Sequence, residues 1–444
     1  VAAARLLVRH GLDVRLCDRQ RGTPALAAEF AAMGVDARLG SDRPAELEGR
    51  DFVVWSPGIP ITHAIATAAR SAGLPLLSEL ELGYLAAHAP LLCITGTNGK
   101  STTTDLTGAL LRAVGREVQV CGNIGRALCE VAERVGPAGL LVVEVSSFQL
   151  ETVDRLRPFV ATWLNLTPDH LDRHGSLAAY AALKQRLFAH QEEDDYAVWN
   201  ADDPAVMAHR TGAATPLEFS RRAAVPAGAC AEDGTLRLVW RGGVEPLLPV
   251  AELRLRGPHN LSNALAALAT VLPLEPPPDA LRACLREYRG LEHRLEPVAT
   301  VEGVEFVNDS KATNLDSLAV ALESFAEPVV LIAGGRDKGQ DFATAAELAR
   351  RHVHHAVLIG EGAERIAAAW RSVPASRASS LGEAVDRAFD LARQRAASAP
   401  GGTGRATVLL SPGCASFDMF SDFEDRGRRF KGEVERLRLK EARA

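Results

Sequence analysis

Short β-branched runs alternate with Ala-, Leu- and Arg-rich stretches of helical period along almost the whole chain. That alternation restricts the fold to βαβ units on parallel sheets, an α/β protein. Strands are expected at Asp13–Cys17, Asp51–Trp55, Leu74–Leu77, Leu91–Ile94, Leu140–Val145 and Ala161–Leu164, and again at Val304–Val307, Val329–Ala333, Val357–Ile359 and Val408–Leu410. Residues 196–256 carry short strands separated by Gly/Pro turns, and the Pro-rich stretch 272–280 breaks a helix. Residues 1–10 read as a helix already under way, closed by Gly11, where a βαβ unit opens with a strand and a Gly-rich turn. The expectation is that the numbered chain lacks that first strand. A length of 444 residues suits about three domains, with boundaries near residues 86 and 291: 1–86, 87–291 and 292–444.

Composition excludes several classes. The formal net charge is −6 with both signs interspersed, which argues against a broad basic surface for nucleic acid. No apolar run is long enough to span a bilayer. Val1–Leu12 carries Arg5, Arg9 and His10 and has no secretory h-region. Seven cysteines form no Cys-x-x-Cys pair, which disfavours a disulfide framework or a structural zinc site and points to the cytoplasm.

The sharpest local signal is Thr95-Gly96-Thr97-Asn98-Gly99-Lys100-Ser101-Thr102, directly after a strand and ahead of a helix. Glycines let backbone N–H groups approach phosphate oxygens, the helix dipole favours an anion, Lys100 adds charge and the Ser101 hydroxyl can reach Mg²⁺. The loop is shortened: the common spacing would place a glycine at position 94, which is Ile94. Glu144 ends the apolar strand, where a carboxylate is costly unless paired or metal-bound, and a strand's carboxyl end faces the ligand crevice. Asp169-His170-Leu171-Asp172-Arg173-His174 suits metal or proton-transfer work, and equally a solvated loop with capping Asp residues. Lys184 interrupts the apolar stripe Leu177, Tyr180, Ala181, Leu187, Phe188; it either snorkels to water or serves a site, and as a carbamate it would offer Mg²⁺ hard oxygen ligands. Asn260 and Asn263 share a helix face and either cap it or read an adenine edge.

In the last third, His293-Arg294 sits at the proposed boundary, where Arg294 could reach a polyphosphate. Asn308–Asn314, Gly334–Gly339 and Ser411–Phe420 are three polar loops, each following a strand. Lys338 suits a substrate carboxylate, and Ser416 can donate a hydrogen bond. Cys414 has no evident His or Lys partner and reads as structural.

Together these residues resemble the Mur ligase family, ATP-dependent amide-forming ligases of peptidoglycan synthesis. The shortened phosphate loop, Glu144, His170, Lys184, Asn260, Asn263, His293-Arg294 and Asp309-Ser310-Lys311 fall in the family's order over almost the whole chain. The resemblance implies three domains: an N-terminal Rossmann-like domain, a central P-loop ATPase-like domain on a parallel or mixed sheet, and a C-terminal Rossmann-like domain. It implies ATP and two Mg²⁺ ions as cofactors, with UDP-N-acetylmuramoyl-L-alanine and D-glutamate as substrates, and a monomer. The residues Gly96, Thr97, Asn98, Gly99, Lys100, Ser101 and Thr102 would hold the ATP phosphates. Ser101, Glu144, His170 and carbamylated Lys184 would serve the metals. Asn260 and Asn263 would face adenine, and Arg294, Asp309 and Lys311 would contact ATP. Asp18, Arg19 and Gly58 would lie near the uridine nucleotide, and Asn123 and Ser147 near the substrate's reacting end. Thr313, Lys338, Ser416 and Phe423 would hold D-glutamate. A ligase with another acceptor, of Mur or folylpolyglutamate type, is the alternative within the superfamily. A P-loop NTPase module would leave the three C-terminal loops unexplained, and a dehydrogenase lacks its Gly-x-Gly-x-x-Gly turn.

Overall fold

The computed structural model describes residues 1–255, 257–337, 339–398 and 404–441. The chain divides into two compact units: Val1–Leu253 with Asn260–Tyr288, and Arg254–His259 with Arg289–Ala444.

Unit 1 opens with the helix Ala2–Arg9 and two parallel strand pairs, β1 (Arg15–Asp18) with β2 (Asp36–Leu39), and β3 (Val53–Trp55) with β4 (Leu76–Ser78). The pairs form separate two-stranded sheets, each packed on its own small core, Ala4, Val14, Phe30 and Val35 for one and Trp55, Ile65 and Ala66 for the other. The N-terminal strands are therefore parallel as expected, but they do not join into one sheet.

The centre of unit 1 is a nine-stranded sheet. Its strands are β5 (Leu91–Thr95), β6 (Val118–Gly122), β7 (Leu140–Glu144), β8 (Val160–Trp163), β9 (Tyr196–Asn200), β10 (Thr215–Ser220), β11 (Gly228–Glu232), β12 (Thr235–Trp240) and β13 (Gly243–Pro249). Their order is β13-β12-β11-β10-β9-β8-β5-β7-β6, parallel except where β12 pairs antiparallel with β11 and β13. Strands β5, β7 and β8 are buried at every residue, which is why they read as unbroken apolar runs rather than as alternation. From β5 the chain first builds β6 and β7 on one side and then crosses to β8 on the other. The carboxyl end of β5 is thus a topological switch point, where open α/β sheets bind ligands.

Unit 2 carries a six-stranded sheet: β14 (Glu296–Val301), β15 (Val304–Asn308), β16 (Val329–Gly334), β17 (Val353–Ile359), β18 (Ala375–Arg377) and β19 (Ala406–Leu410). The order is β14-β15-β19-β16-β17-β18, with only β14 antiparallel to its neighbour. Apolar clusters cover both faces, one around Leu318, Leu331 and Trp370, the other around Phe306, Phe389 and Phe430. Insertion of β19 between β15 and β16 makes the loops after those three strands neighbours. No helix among the described residues is long and apolar enough to cross a membrane.

Candidate active site

The phosphate-type loop leaves β5 and enters the helix Lys100–Ala113 through Gly99, whose φ of 83° is left-handed. A side chain there would be strained, and a Cβ would meet Asn263 Oδ1 at 2.3 Å. The loop is braced from β8. Asn165 Oδ1 accepts hydrogen bonds from the backbone N–H of Thr97 (3.0 Å) and of Asn98 (2.8 Å), and its Nδ2 donates to Asn98 O (3.0 Å). The Thr97 hydroxyl donates to Thr167 O at 3.2 Å and accepts from Thr167 N–H at 3.1 Å.

Two ammonium groups meet on this loop. Lys100 Nζ donates to Gly96 O (2.9 Å) and Thr97 O (2.7 Å). Lys184 Nζ donates to Gly96 O at 2.8 Å and lies 4.4 Å from the centre of the Tyr180 ring. Lys184 does not snorkel: it is 1% exposed. Burial first, and then the neighbouring Lys100 charge, hold its ammonium well below the usual lysine range, against a smaller opposing pull from Asp169.

Glu144, at the carboxyl end of β7, is 2% exposed. Its Oε1 accepts from Asn123 Nδ2 at 2.7 Å, whereas Oε2 is buried without a hydrogen-bond partner among the described residues. An orphaned carboxylate oxygen beside a phosphate-type loop is what a hard divalent cation would satisfy, so the donor set fits Mg²⁺. Ser101 lies half-buried in the first turn of the Lys100–Ala113 helix. His170 sits at left-handed φ of 52°, half-exposed, with Asp169 beside it at 3.5 Å and its ring 4.7 Å from that of Phe148. Strain in a non-glycine residue of this kind clusters at functional sites. Buried Ser147 shares a 3.1 Å hydrogen bond with His174 Nε2.

Asn260 and Asn263 are both buried, and Asn263 Nδ2 donates to Asn260 Oδ1 at 3.1 Å. Asn263 Oδ1 accepts from Thr103 Oγ1 at 3.4 Å, beside Gly99. Neither is a simple cap, since the helix begins at Pro258. Asp18 ends β1, exposed like Arg19, its Oδ1 accepting from Gln20 N–H at 2.8 Å. Gly58 is exposed in the turn after β3.

In unit 2 the three polar loops do come together. Gly413 N–H donates to Ala312 O (2.9 Å), Gly334 N–H to Pro412 O (2.9 Å), and Arg336 and Ala415 exchange backbone bonds at 2.8 and 3.2 Å. Buried Asp309 accepts from Ser411 Oγ (2.7 Å) and Leu295 N–H (3.2 Å). Its burial raises the carboxyl to about 7, against the hydrogen bond from Ser411. Lys311 Nζ stands 3.8 Å over the Phe423 ring, Thr313 is half-buried, and Ser416 is buried. Arg294 is half-buried on the turn that also holds His293, which packs on Gly427 so closely that a Cβ there would lie 2.2 Å from Nδ1. The carboxylates of Glu292 and Glu296 flank His293, but the Lys431 ammonium is seated on both. Lys338 lies outside the described residues.

Two site residues carried little sequence signal. Asn165 is one polar residue beyond a buried strand, and only its position at a strand's carboxyl end hinted at a role. Arg426 hides in a highly charged helix. It is fully buried, and donates to Ser310 Oγ (2.9 Å), Ser310 O (2.8 Å) and Cys414 O (3.1 Å), tying two of the loops together. Burial lowers its guanidinium to about 10.

The profile of the Mur ligase middle domain matches residues 94–271, and that of the Mur ligase glutamate ligase domain matches residues 293–412. The UDP-N-acetylmuramoylalanine–D-glutamate ligase of Pelotomaculum thermopropionicum is 43% identical over 439 residues, covering 97% of this chain and 94% of the relative. The enzyme of the same name from Trichlorobacter lovleyi is 44% identical over 442 residues, 98% of this chain and 96% of the relative. Among solved structures, MurF from Acinetobacter baumannii is similar with a TM-score of 0.62 at 17% identity, over 97% of this chain and 92% of that one. A pseudomurein peptide ligase type C from Methanothermus fervidus is similar with a TM-score of 0.59 at 16% identity, over 98% and 97%. At those identities the structures speak for the fold.

Proposed function

The chain belongs to the Mur ligase family, and from that premise we propose that it is an ATP-dependent ligase that adds D-glutamate to UDP-N-acetylmuramoyl-L-alanine in peptidoglycan precursor synthesis. The observation that carries the reading is the gathering of Lys100, Lys184 and the half-satisfied Glu144 around one glycine-rich loop at the switch point of the sheet.

A carboxylate and an amine do not condense unaided. The L-alanyl carboxylate oxygen attacks the γ-phosphorus of ATP, the bond to the bridging oxygen breaks, and ADP leaves. The backbone N–H groups at the start of the Lys100–Ala113 helix and the Lys100 ammonium neutralise charge that grows on the phosphate oxygens. Lys100 must leave its own loop carbonyls to do so. Asn165 keeps Thr97 and Asn98 in place while it moves. The neutral amine of D-glutamate then attacks the acyl phosphate carbon, loses a proton, and expels inorganic phosphate as the amide forms. Glu144, His170 and Ser101 would hold Mg²⁺, which when bound supplies Lewis-acid stabilisation of the phosphoryl oxygens. Lys184, whose ammonium burial holds well below the usual lysine range, would add to CO₂ through Nζ with release of one proton, and the carbamate oxygens would then extend that ligand set. D-Glutamate binds on unit 2 at Thr313 and Ser416, on the loops that Arg426 ties together, and at Phe423, which opens the helix that carries Arg426.

The test is ADP release from ATP with Mg²⁺ and UDP-N-acetylmuramoyl-L-alanine, with D-glutamate, L-glutamate, L-lysine and meso-diaminopimelate offered in turn. Release dependent on D-glutamate alone is expected. Release with another amino acid would move the protein to a sibling activity, and hydrolysis indifferent to any acceptor would overturn the ligase reading.

A further inference from the structure

Arg173 lies three residues beyond His170 and makes three kinds of contact at once. Its Nε and Nη2 donate to the two oxygens of Glu151 at 2.9 and 2.6 Å. Nη2 also donates to Ile59 O at 3.1 Å, in the turn that follows β3. Its guanidinium carbon stands 4.4 Å from the centre of the Phe148 ring. The pair is largely withdrawn from water, with side chains 14% and 7% exposed.

These contacts run outward in two directions. On one side, Ile59 O also accepts from Trp55 Nε1 at 2.9 Å, so the turn Ser56–Ile59 is pinned twice through a single carbonyl. On the other side, the Phe148 ring carries the His170 ring at 4.7 Å. Glu151 lies 3.7 Å from His174 Nδ1, and His174 Nε2 shares the hydrogen bond with Ser147. His174 is itself stacked on Tyr180, 5.4 Å between ring centres. One planar side chain therefore joins the turn that holds Gly58 to the segment that holds Ser147 and His170. Only an arginine can do this, because the fork grips a carboxylate in two places while its face stays free to stack.

We propose that Arg173 is a positioning residue for the nucleotide-sugar substrate, fixing the separation between the turn that takes its uridine nucleotide and the loop that takes its reacting carboxylate. The proposal rests on the ligase reading and adds to it a named residue that touches no reacting atom. A long substrate gripped at both ends gains affinity from the linkage only if the grips stay at the right spacing. Loosening the spacing leaves each grip intact and removes the gain.

The experiment compares wild type with R173K by calorimetric titration of UDP-N-acetylmuramoyl-L-alanine and, separately, of UDP. Loss of the bidentate, stacked guanidinium should weaken binding of the intact substrate about tenfold, as for one strong charge-assisted contact. Affinity for UDP and the KM values for ATP and D-glutamate should stay within about twofold. Should R173K fail to fold, E151Q keeps the shape of the clamp and removes its charge, and the same split is expected at smaller amplitude. UDP and the intact substrate weakening together would overturn the proposal, since Arg173 would then merely prop the turn. No change in either would overturn it too. Wild-type protein that binds the intact substrate yet shows no D-glutamate-dependent ADP release would instead overturn the ligase reading.

Discussion

Asp309 gives a prediction that can be worked to a number. Its carboxyl is raised from 3.8 to about 7 because it is buried, with Ser411 and Leu295 as hydrogen-bond donors that only partly offset the loss of water. A carboxyl whose folded value lies above its unfolded one binds its proton more tightly in the fold. The associated stability is fully present below about pH 4 and is lost as pH rises to about 7. The whole loss is about three units, or about 4 kcal/mol at most, at about 1.4 kcal/mol per unit. Between about pH 5.5 and pH 8.5 roughly half of it remains to be lost, about 2 kcal/mol. Asp309→Asn keeps the shape: the amide oxygen can accept from Leu295 N–H and the amide nitrogen can donate to Ser411 Oγ. The variant cannot ionise. Thermal unfolding of both proteins without nucleotide, at those two pH values, cancels every other titrating group in the difference. The melting temperature of D309N minus that of wild type should rise by roughly 4–8 °C from the lower to the higher pH, for a unit of this size. A difference that stays constant, or that falls toward alkaline pH, would refute the assignment of a desolvated carboxyl at this position.

Lys100→Ala should lower kcat for ADP release by about 10²–10³-fold or more, as for loss of one preorganised charge at the transferring phosphoryl group, with a melting temperature close to wild type. Lys184→Ala should be inactive and partly restored by short carboxylates, which can place an oxygen where the carbamate would stand; full activity of the variant, at any bicarbonate concentration, would count against the carbamate. Gly99→Ala places a Cβ 2.3 Å from Asn263 Oδ1 at left-handed φ. It should raise the KM for ATP by about tenfold or more, at a backbone cost of roughly 1–2 kcal/mol, and an unchanged KM would show that the loop does not hold nucleotide.

What the sequence could say followed from what its periodicities measure. The run Leu91–Thr95 into Gly96 was legible because a central parallel strand is buried on both faces and a phosphate-type loop needs its glycines in fixed places. Lys184 was legible as a fault in an apolar stripe. The pattern left two meanings open, and burial at 1% exposure with a carbonyl partner removes one of them, the snorkel to water. The β1–β2 and β3–β4 pairs show the limit of the same signal, since strand character is local whereas the choice of neighbouring strand is not. Asn165 illustrates it more sharply. Its partners Thr97 and Asn98 lie 68 and 67 residues earlier, and nothing in the local composition of Leu164-Asn165-Leu166 distinguishes a loop brace from a turn residue.

Strand order also explains how this chain keeps the shape of a loop two residues shorter than the common phosphate-binding kind. Strand β5 is flanked by β7 and β8, so the segment Gly96–Gly99 has a neighbour on either hand. From β8 comes the neutral amide of Asn165, which takes two of its backbone N–H groups and returns a hydrogen bond to Asn98 O. From the helix Leu177–Gln185, reached beyond β8, comes Lys184 on Gly96 O. Strand β7 contributes Glu144 on the other hand, with one oxygen held by Asn123 and the other left over. The loop therefore needs fewer residues of its own to stay in shape, because its conformation is imposed from adjacent strands. The Lys184 ammonium thus comes from the β8 side of the loop and the Glu144 carboxylate from the β7 side. In the proposed reading, acceptor choice falls to the loops after β15, β16 and β19, which belong to a different sheet from the glycine-rich loop.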